Sequence, residues 1–144
     1  MQLSLPHHRW LVVDDNPEVL NITALFLRSV PDVEVTAFSR PEDVIQACLT
    51  DPTSFELLVT DFDMPGMDGI ELACHLAASA PRLRVLLMTG SHLNEFQLLR
   101  PEVHLVLSKP FTREMLLAGA AALVGLHDFP ERPIDDGRSF ARAE

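Results

Sequence analysis

The chain has 144 residues, 11 of them Lys or Arg and 21 Asp or Glu, so its formal charge is −10. That balance argues against a phosphate-backbone binder with a basic face, and the length with 47% hydrophobic residues suits one domain with a real core. No apolar run approaches the ~20 residues of a bilayer span and no leader pattern opens the sequence, so a cytoplasmic chain with no membrane partner is expected.

Short apolar runs rich in branched residues predict five strands, at Trp10 to Val13, Val33 to Phe38, Phe55 to Thr60, Arg84 to Met88 and Val103 to Leu107. Segments of helical spacing alternate with them. Asn16 can cap a first helix with Pro17 at its first position, and Val19, Ile22, Phe26 and Val30 then fall on one face. Ser39-Arg40-Pro41-Glu42 reads as a capping box for the second. Glu71 to Ala80 is the third, a shorter fourth lies near Asn94 to Leu99, and Thr112 caps a fifth running to about Leu123. Alternating strands and helices with near-continuous apolar strands predict a three-layer α/β domain on a parallel sheet, helices on both faces. Residues from Asp128 onward turn polar and read as a tail or linker stub, residues 1–8 as a short lead. Cys48 and Cys74 have no CxxC spacing and are expected to be two buried thiols.

In open parallel sheets ligands bind beyond the carboxyl ends of the strands. Those ends carry Asp14-Asp15, Asp61, Thr89 and Ser108-Lys109-Pro110. Any one acid there is ordinary as a helix cap or solvated loop carboxylate, but together they form one polar edge. Converging carboxylates repel one another and suit a hard divalent cation, Mg²⁺ best. A hydroxyl and a lysine beside them supply a donor and a positive charge for a phosphoryl group, so the parts describe phosphoryl transfer to a carboxylate. Lys109 is the only lysine in the chain, the other ten basic residues all being Arg.

The motifs Leu11-Val12-Val13-Asp14-Asp15, Val59-Thr60-Asp61-Phe62-Asp63-Met64-Pro65-Gly66-Met67-Asp68-Gly69, Met88-Thr89-Gly90 and Ser108-Lys109-Pro110-Phe111 occur in the order and spacing of a known family. Over residues 9–127 the chain closely resembles the receiver domain of two-component response regulators. The resemblance implies a flavodoxin-like (βα)5 fold with sheet order 2-1-3-4-5. It implies Asp61 as phosphoacceptor, with Asp14, Asp15 and Asp61 and the backbone carbonyl of Asp63 around Mg²⁺, and Thr89 and Lys109 binding the phosphoryl oxygens. It further implies a cis bond before Pro110, a sensor histidine kinase or histidine phosphotransfer protein as donor, and a downstream protein target on the face of helix four, strand five and helix five. No metabolic substrate is implied: the module phosphorylates itself and slowly loses the group.

Three departures stand out. The family's switch aromatic, three residues before the lysine, is Val106 here, so transmission through a rotating ring is not expected. The Thr89-to-Lys109 segment is short, implying a trimmed fourth helix or loop. Asp63 adds a carboxylate two residues after the acceptor and is expected to alter the rate of phosphoryl loss. The fifth helix is rich in Ala, leaving open an outer face that packs on a second copy. The other histidines show no metal-ligand spacing. Two alternatives compete with the receiver reading: a haloacid-dehalogenase-like phosphohydrolase using Asp61 and Asp63, and a receiver-like scaffold that takes no phosphate.

Overall fold

A computed structural model of the chain describes residues 8–126. The proposed tail from Asp128, and all of the proposed lead except His8, lie outside those residues. The described chain alternates strand and helix: β1 His8–Val13, α1 Pro17–Arg28, β2 Val33–Phe38, α2 Pro41–Thr50, β3 Leu57–Asp61, α3 Gly69–Ser79, β4 Arg84–Thr89, α4 Glu95–Leu98, β5 Leu105–Ser108 and α5 Arg113–Val124. All strand pairs are parallel, and the sheet order is β2-β1-β3-β4-β5, the doubly wound arrangement expected.

Side-chain alternation divides the core between the two faces of the sheet. Trp10, Val12, Leu57, Val59, Leu86 and Met88 point to the side covered by α1 and α5. Leu11, Val13, Leu58 and Val85 point to the side covered by α2 and α3. Every residue of β3 is buried, which is why that strand reads as an unbroken apolar run ending in a single acid.

The helices differ from their sequence reading in instructive ways. In α1 the buried stripe is Leu20, Thr23, Ala24 and Leu27; of the face predicted from Val19, Ile22, Phe26 and Val30, Val30 is buried and Phe26 packs against the core, while Ile22 is exposed. Both stripes satisfy the helical period; contact with β2 and α5 selects the one that closes the core. The expected capping box at Ser39 does not form: Arg40 occupies the N-cap of α2 and makes no side-chain capping bond. Capping boxes form instead where α3 and α4 begin, through Asp68 with Glu71 and Asn94 with Gln97. Helix α3 accordingly starts two residues before the predicted Glu71, and β3 and β5 are each shifted toward their carboxyl ends.

Glycine 69 has a packing role that turn chemistry alone does not reveal. An added Cβ would lie 2.4 Å from the Asp61 carbonyl oxygen and 2.5 Å from Leu87 Cδ1. The start of α3 therefore presses directly on the end of β3, and the Gly69 N–H donates to the Phe62 carbonyl at 2.9 Å. In α5 the small residues Gly119 and Ala120 face inward, where Gly119 lets the helix approach Leu105 and Leu86. Only part of the Ala-rich run, including Ala118 and Ala122, remains on the outer surface.

The fourth helix is trimmed to four residues, as the short spacing implied. Its continuation is tied to α3 by Arg100, which donates to Glu102 at 3.1 Å and to Cys74 Sγ at 2.9 Å. Cys74 is thus half-buried, correcting the expectation of two buried thiols, while Cys48 lies in the core. Just before β5, His104 takes over from the strand ladder. Its N–H donates to the Val85 carbonyl and its Nδ1 accepts the Val85 N–H, both at 2.9 Å.

Two outcomes follow for stability. Gly69→Ala is expected to lose about 1–3 kcal/mol, since backbone must move to admit the methyl group, whereas Gly90→Ala, with open space around its Cβ position, stays within about 1 kcal/mol of the native chain; urea denaturation measures both. Burial, aided by Arg84, holds the His104 imidazole below its ordinary value of 6.5. The unfolded chain then binds the proton more readily, so this contribution to stability is complete above about pH 6.5 and is lost as pH falls below it. Replacing His104 by Gln should flatten that acidic limb in urea midpoints measured from pH 7.5 to 5.

Candidate functional site

Every candidate residue sits at the carboxyl edge of the sheet because the parallel strands all end there. Asp14 follows β1, Asp61 closes β3, Thr89 closes β4, and Lys109 follows β5. Backbone bonds extend the ladder past the strand ends and hold this edge together: Phe62 N–H to the Met88 carbonyl and Lys109 N–H to the Thr89 carbonyl, both at 2.8 Å, and Asp14 N–H to the Phe38 carbonyl at 3.2 Å. At the first edge loop, Asp14 Oδ1 accepts the Asn16 N–H at 2.9 Å, and the Asn16 side chain caps α1 through the amides of Glu18 and Val19. The loop is thereby turned so that Asp14 points into the site while Asp15 stands at its exposed rim.

Asp14, Asp15 and Asp61 each offer an oxygen, all within 4.8 Å of one another. The cluster has one cation: Lys109 Nζ donates to Asp61 Oδ1 at 2.7 Å and lies 3.8 Å from Asp14 Oδ2, too far for a hydrogen bond. Asp14 is 1% exposed, and its Oδ2 has no hydrogen-bond partner among the described residues. Burial pushes its carboxyl up from the ordinary value, with further upward pressure from Asp61 and Asp15; the Asn16 amide and Lys109 pull the other way. A buried, unpartnered carboxylate oxygen facing two more acids is a set of hard donors short of positive charge. That donor set fits a divalent cation such as Mg²⁺, held by a few carboxylates and otherwise by water or phosphate oxygens.

The remaining predicted residues fall into place less uniformly. Thr89 is buried at the same edge, but its hydroxyl turns to the following loop, accepting the Ser91 N–H at 3.0 Å and donating to the Ser91 carbonyl at 3.2 Å. The Asp63 carboxylate is outside the acidic cluster and accepts from Ser91 Oγ at 3.2 Å. The Lys109-Pro110 bond is cis. Val106 is half-buried on β5. Two residues at the site carried no chemical signal in the sequence: Ser91, which bridges two loops, and Gly69, which admits α3 against the strand bearing Asp61. An isolated Ser two residues after Thr89 has no spacing rule that marks it, and Asp68-Gly69 read only as loop punctuation.

Comparison with known proteins gives one consistent result. The family model described as the response regulator receiver domain matches residues 10–121. The transcriptional regulatory protein FlgR of Helicobacter pylori is 32% identical over 108 residues, covering 74% of this chain and 27% of that protein. FixJ of Azorhizobium caulinodans, also a transcriptional regulatory protein, is 30% identical over 141 residues, 98% of this chain and 54% of its own length. The chain thus spans from about a quarter to about half of these relatives. Among solved structures, the response regulator TrrA of Thermotoga maritima, in complex with Mg²⁺ and BeF, superposes with a TM-score of 0.71 at 22% identity, over 81% of this chain and 98% of that one. With its sheet order, its acidic edge and a family match over most of its length, this chain belongs to the response regulator receiver domain family.

Proposed function

We propose that the chain is a phosphorylation-controlled signalling module in which Asp61 accepts a phosphoryl group. The observation that carries this reading is the 2.7 Å bond from the only lysine to Asp61 at the centre of the acidic cluster. Lys109 engages Oδ1, and no described residue donates to Oδ2, which is the oxygen available for attack on phosphorus. The donor is a phosphohistidine of a sensor kinase or phosphotransfer protein. Asp61 Oδ2 forms the new O–P bond as the N–P bond breaks, and the displaced imidazole takes up a proton.

Asp14, Asp15 and Asp61, with the Asp63 carbonyl, are the residues to hold Mg²⁺; when bound, the ion neutralises charge on the phosphoryl oxygens. Lys109 already sits beside the acceptor and can follow a phosphoryl oxygen without leaving the site. Thr89 supplies a hydroxyl to another oxygen once it releases Ser91. The TrrA complex with Mg²⁺ and BeF supports this assignment by family, since beryllofluoride is a phosphoryl analogue.

The output surface is proposed as α4, β5 and α5. There Phe96 is 84% and Leu99 78% exposed, and Met115 is half-exposed, apolar side chains suited to a downstream protein or a second copy of the chain. Val106 means that phosphorylation reaches this face through the β4–α4 loop and trimmed α4 instead of through an aromatic ring. Receiver domains signal by binding partners, so no metabolic turnover is proposed. The phosphohydrolase alternative, built on the Asp61-x-Asp63 spacing, loses its second acid because that carboxylate is turned onto Ser91. The receiver works in the cytoplasm in this reading, where kinases draw on ATP.

Incubation with Mg²⁺ and a small phosphodonor should give the native chain one acid-labile phosphoryl group, absent in Asp61→Asn and in the presence of EDTA; a native chain that gains none indicates the scaffold. Asp14→Asn should stabilise the metal-free chain, because it removes a charge buried beside Asp61 and Asp15, while removing most of the stabilisation that added Mg²⁺ gives the native chain. Thermal melts with and without Mg²⁺ read both effects.

A further inference from the structure

Three hydrogen bonds meet at Ser91, and they link the two loops that border the Asp61 site. β3 and β4 are paired through Asp61 and Met88, so the chain leaving each strand emerges beside the other. Asp63 stands on the loop after β3 and Ser91 on the loop after β4. Ser91 Oγ donates to Asp63 Oδ2 at 3.2 Å, its N–H donates to Thr89 Oγ1 at 3.0 Å, and its carbonyl accepts the Thr89 hydroxyl proton at 3.2 Å.

A threonine hydroxyl has one proton to give. In this arrangement the proton of Thr89 is committed to the Ser91 carbonyl, and one acceptor position of the same oxygen is filled by the Ser91 amide. The hydroxyl cannot donate to a phosphoryl oxygen until that small ring opens. Rotation of Thr89 about χ1 opens the ring at the cost of both bonds, and the bond to Asp63 holds Ser91 where its amide and carbonyl close that ring. The loop that carries Asp63 is itself restrained: Gly69 N–H holds the Phe62 carbonyl, and the Asp68–Glu71 capping box fixes its far end to α3.

We infer that Ser91 is a positioning residue whose bond to the Asp63 carboxylate clasps the β3–α3 loop to the β4–α4 loop and keeps the Thr89 hydroxyl turned away from the phosphoryl site. The inference rests on reading Asp61 as the phosphoryl acceptor. Phosphoryl uptake must break the ring that the clasp holds closed, so the clasp opposes occupancy of the site and favours the unphosphorylated form. Its opening also shifts the root of the trimmed α4, a route from site to surface that needs no aromatic switch. The Asp63 carboxylate, accounted for by neither the acidic cluster nor an ion pair among the described residues, has in the clasp a defined role.

The test uses the full chain, with beryllofluoride plus Mg²⁺ as the phosphoryl probe and NMR as the readout. In the native chain without beryllofluoride, three-bond couplings should report one Thr89 χ1 rotamer. In Ser91→Ala they should average between rotamers, and Ser91→Thr, which keeps a hydroxyl, should restore the single rotamer. Beryllofluoride should bind Ser91→Ala about twofold to fivefold more tightly than the native chain, the scale of one partly exposed hydrogen bond. Asp63→Ala should also tighten binding, and the double variant should fall short of the product of the two single effects, because both remove the same bond. A single native rotamer retained in Ser91→Ala, or fully multiplicative effects in the double variant, overturns the clasp. Failure of the native chain to bind beryllofluoride overturns the acceptor reading instead, and the rotamer measurement on the probe-free chain still decides the clasp.

Discussion

Three carboxylates share one ammonium at the edge of the sheet, and that imbalance organises the rest of the molecule. Asp14, Asp15 and Asp61 present oxygens within 4.8 Å of one another, and Lys109 pairs closely with only one of them. Like charges at such separation, with Asp14 fully buried, raise the energy of the folded chain unless a cation or a phosphoryl-bound metal completes the site. The surrounding structure supplies the compensation. Five strands with continuous ladders, two apolar layers and tightly abutted helix starts hold the acids where they would not gather by themselves.

The same constraint explains why the residues nearest the site are so restricted in size and backbone role. Gly69 has no room for a methyl group because the first turn of α3 is pressed against the carbonyl of Asp61. Asn16 turns the loop after β1 and caps α1, leaving Asp14 with one satisfied oxygen and one unsatisfied. Each device fixes a loop that would otherwise relax away from the repulsion. Between β4 and α4 the loop is tied back to Asp63 by Ser91, and the short helix that follows carries exposed apolar side chains.

Much of this was legible from the order of the residues. Alternating apolar runs and helix starts specified the layers, because a fully buried parallel strand has to be apolar on both faces and the helices between strands have to be amphipathic. The acids, the hydroxyl and the single lysine stood directly after those runs, and the rule that ligands lie beyond strand carboxyl ends joined them into one site. What misled was degeneracy. Two stripes of α1 satisfy the same period, so Ile22 was assigned inward although it is exposed; a Ser-x-x-Glu pattern predicted a box at Ser39 that the chain forms instead at Asp68 and Asn94. Local pattern states which residues can cap or face a core, and packing against neighbours chooses among them.

The sequence by itself determined the fold class, the acidic edge, the place of Lys109 and the shortness of the β4–β5 connection, since each depends on spacing along one chain. Only the tertiary structure decided which Asp14 oxygen is left unpartnered, that Thr89 is turned to Ser91, and that the Asp63 carboxylate leaves the acidic cluster for a serine 28 residues away. Those outcomes depend on the parallel pairing of β3 with β4, which brings the loops after the two strands side by side, and on the short reach of a hydrogen bond. Neither can be read from the order of the residues until the strands are paired.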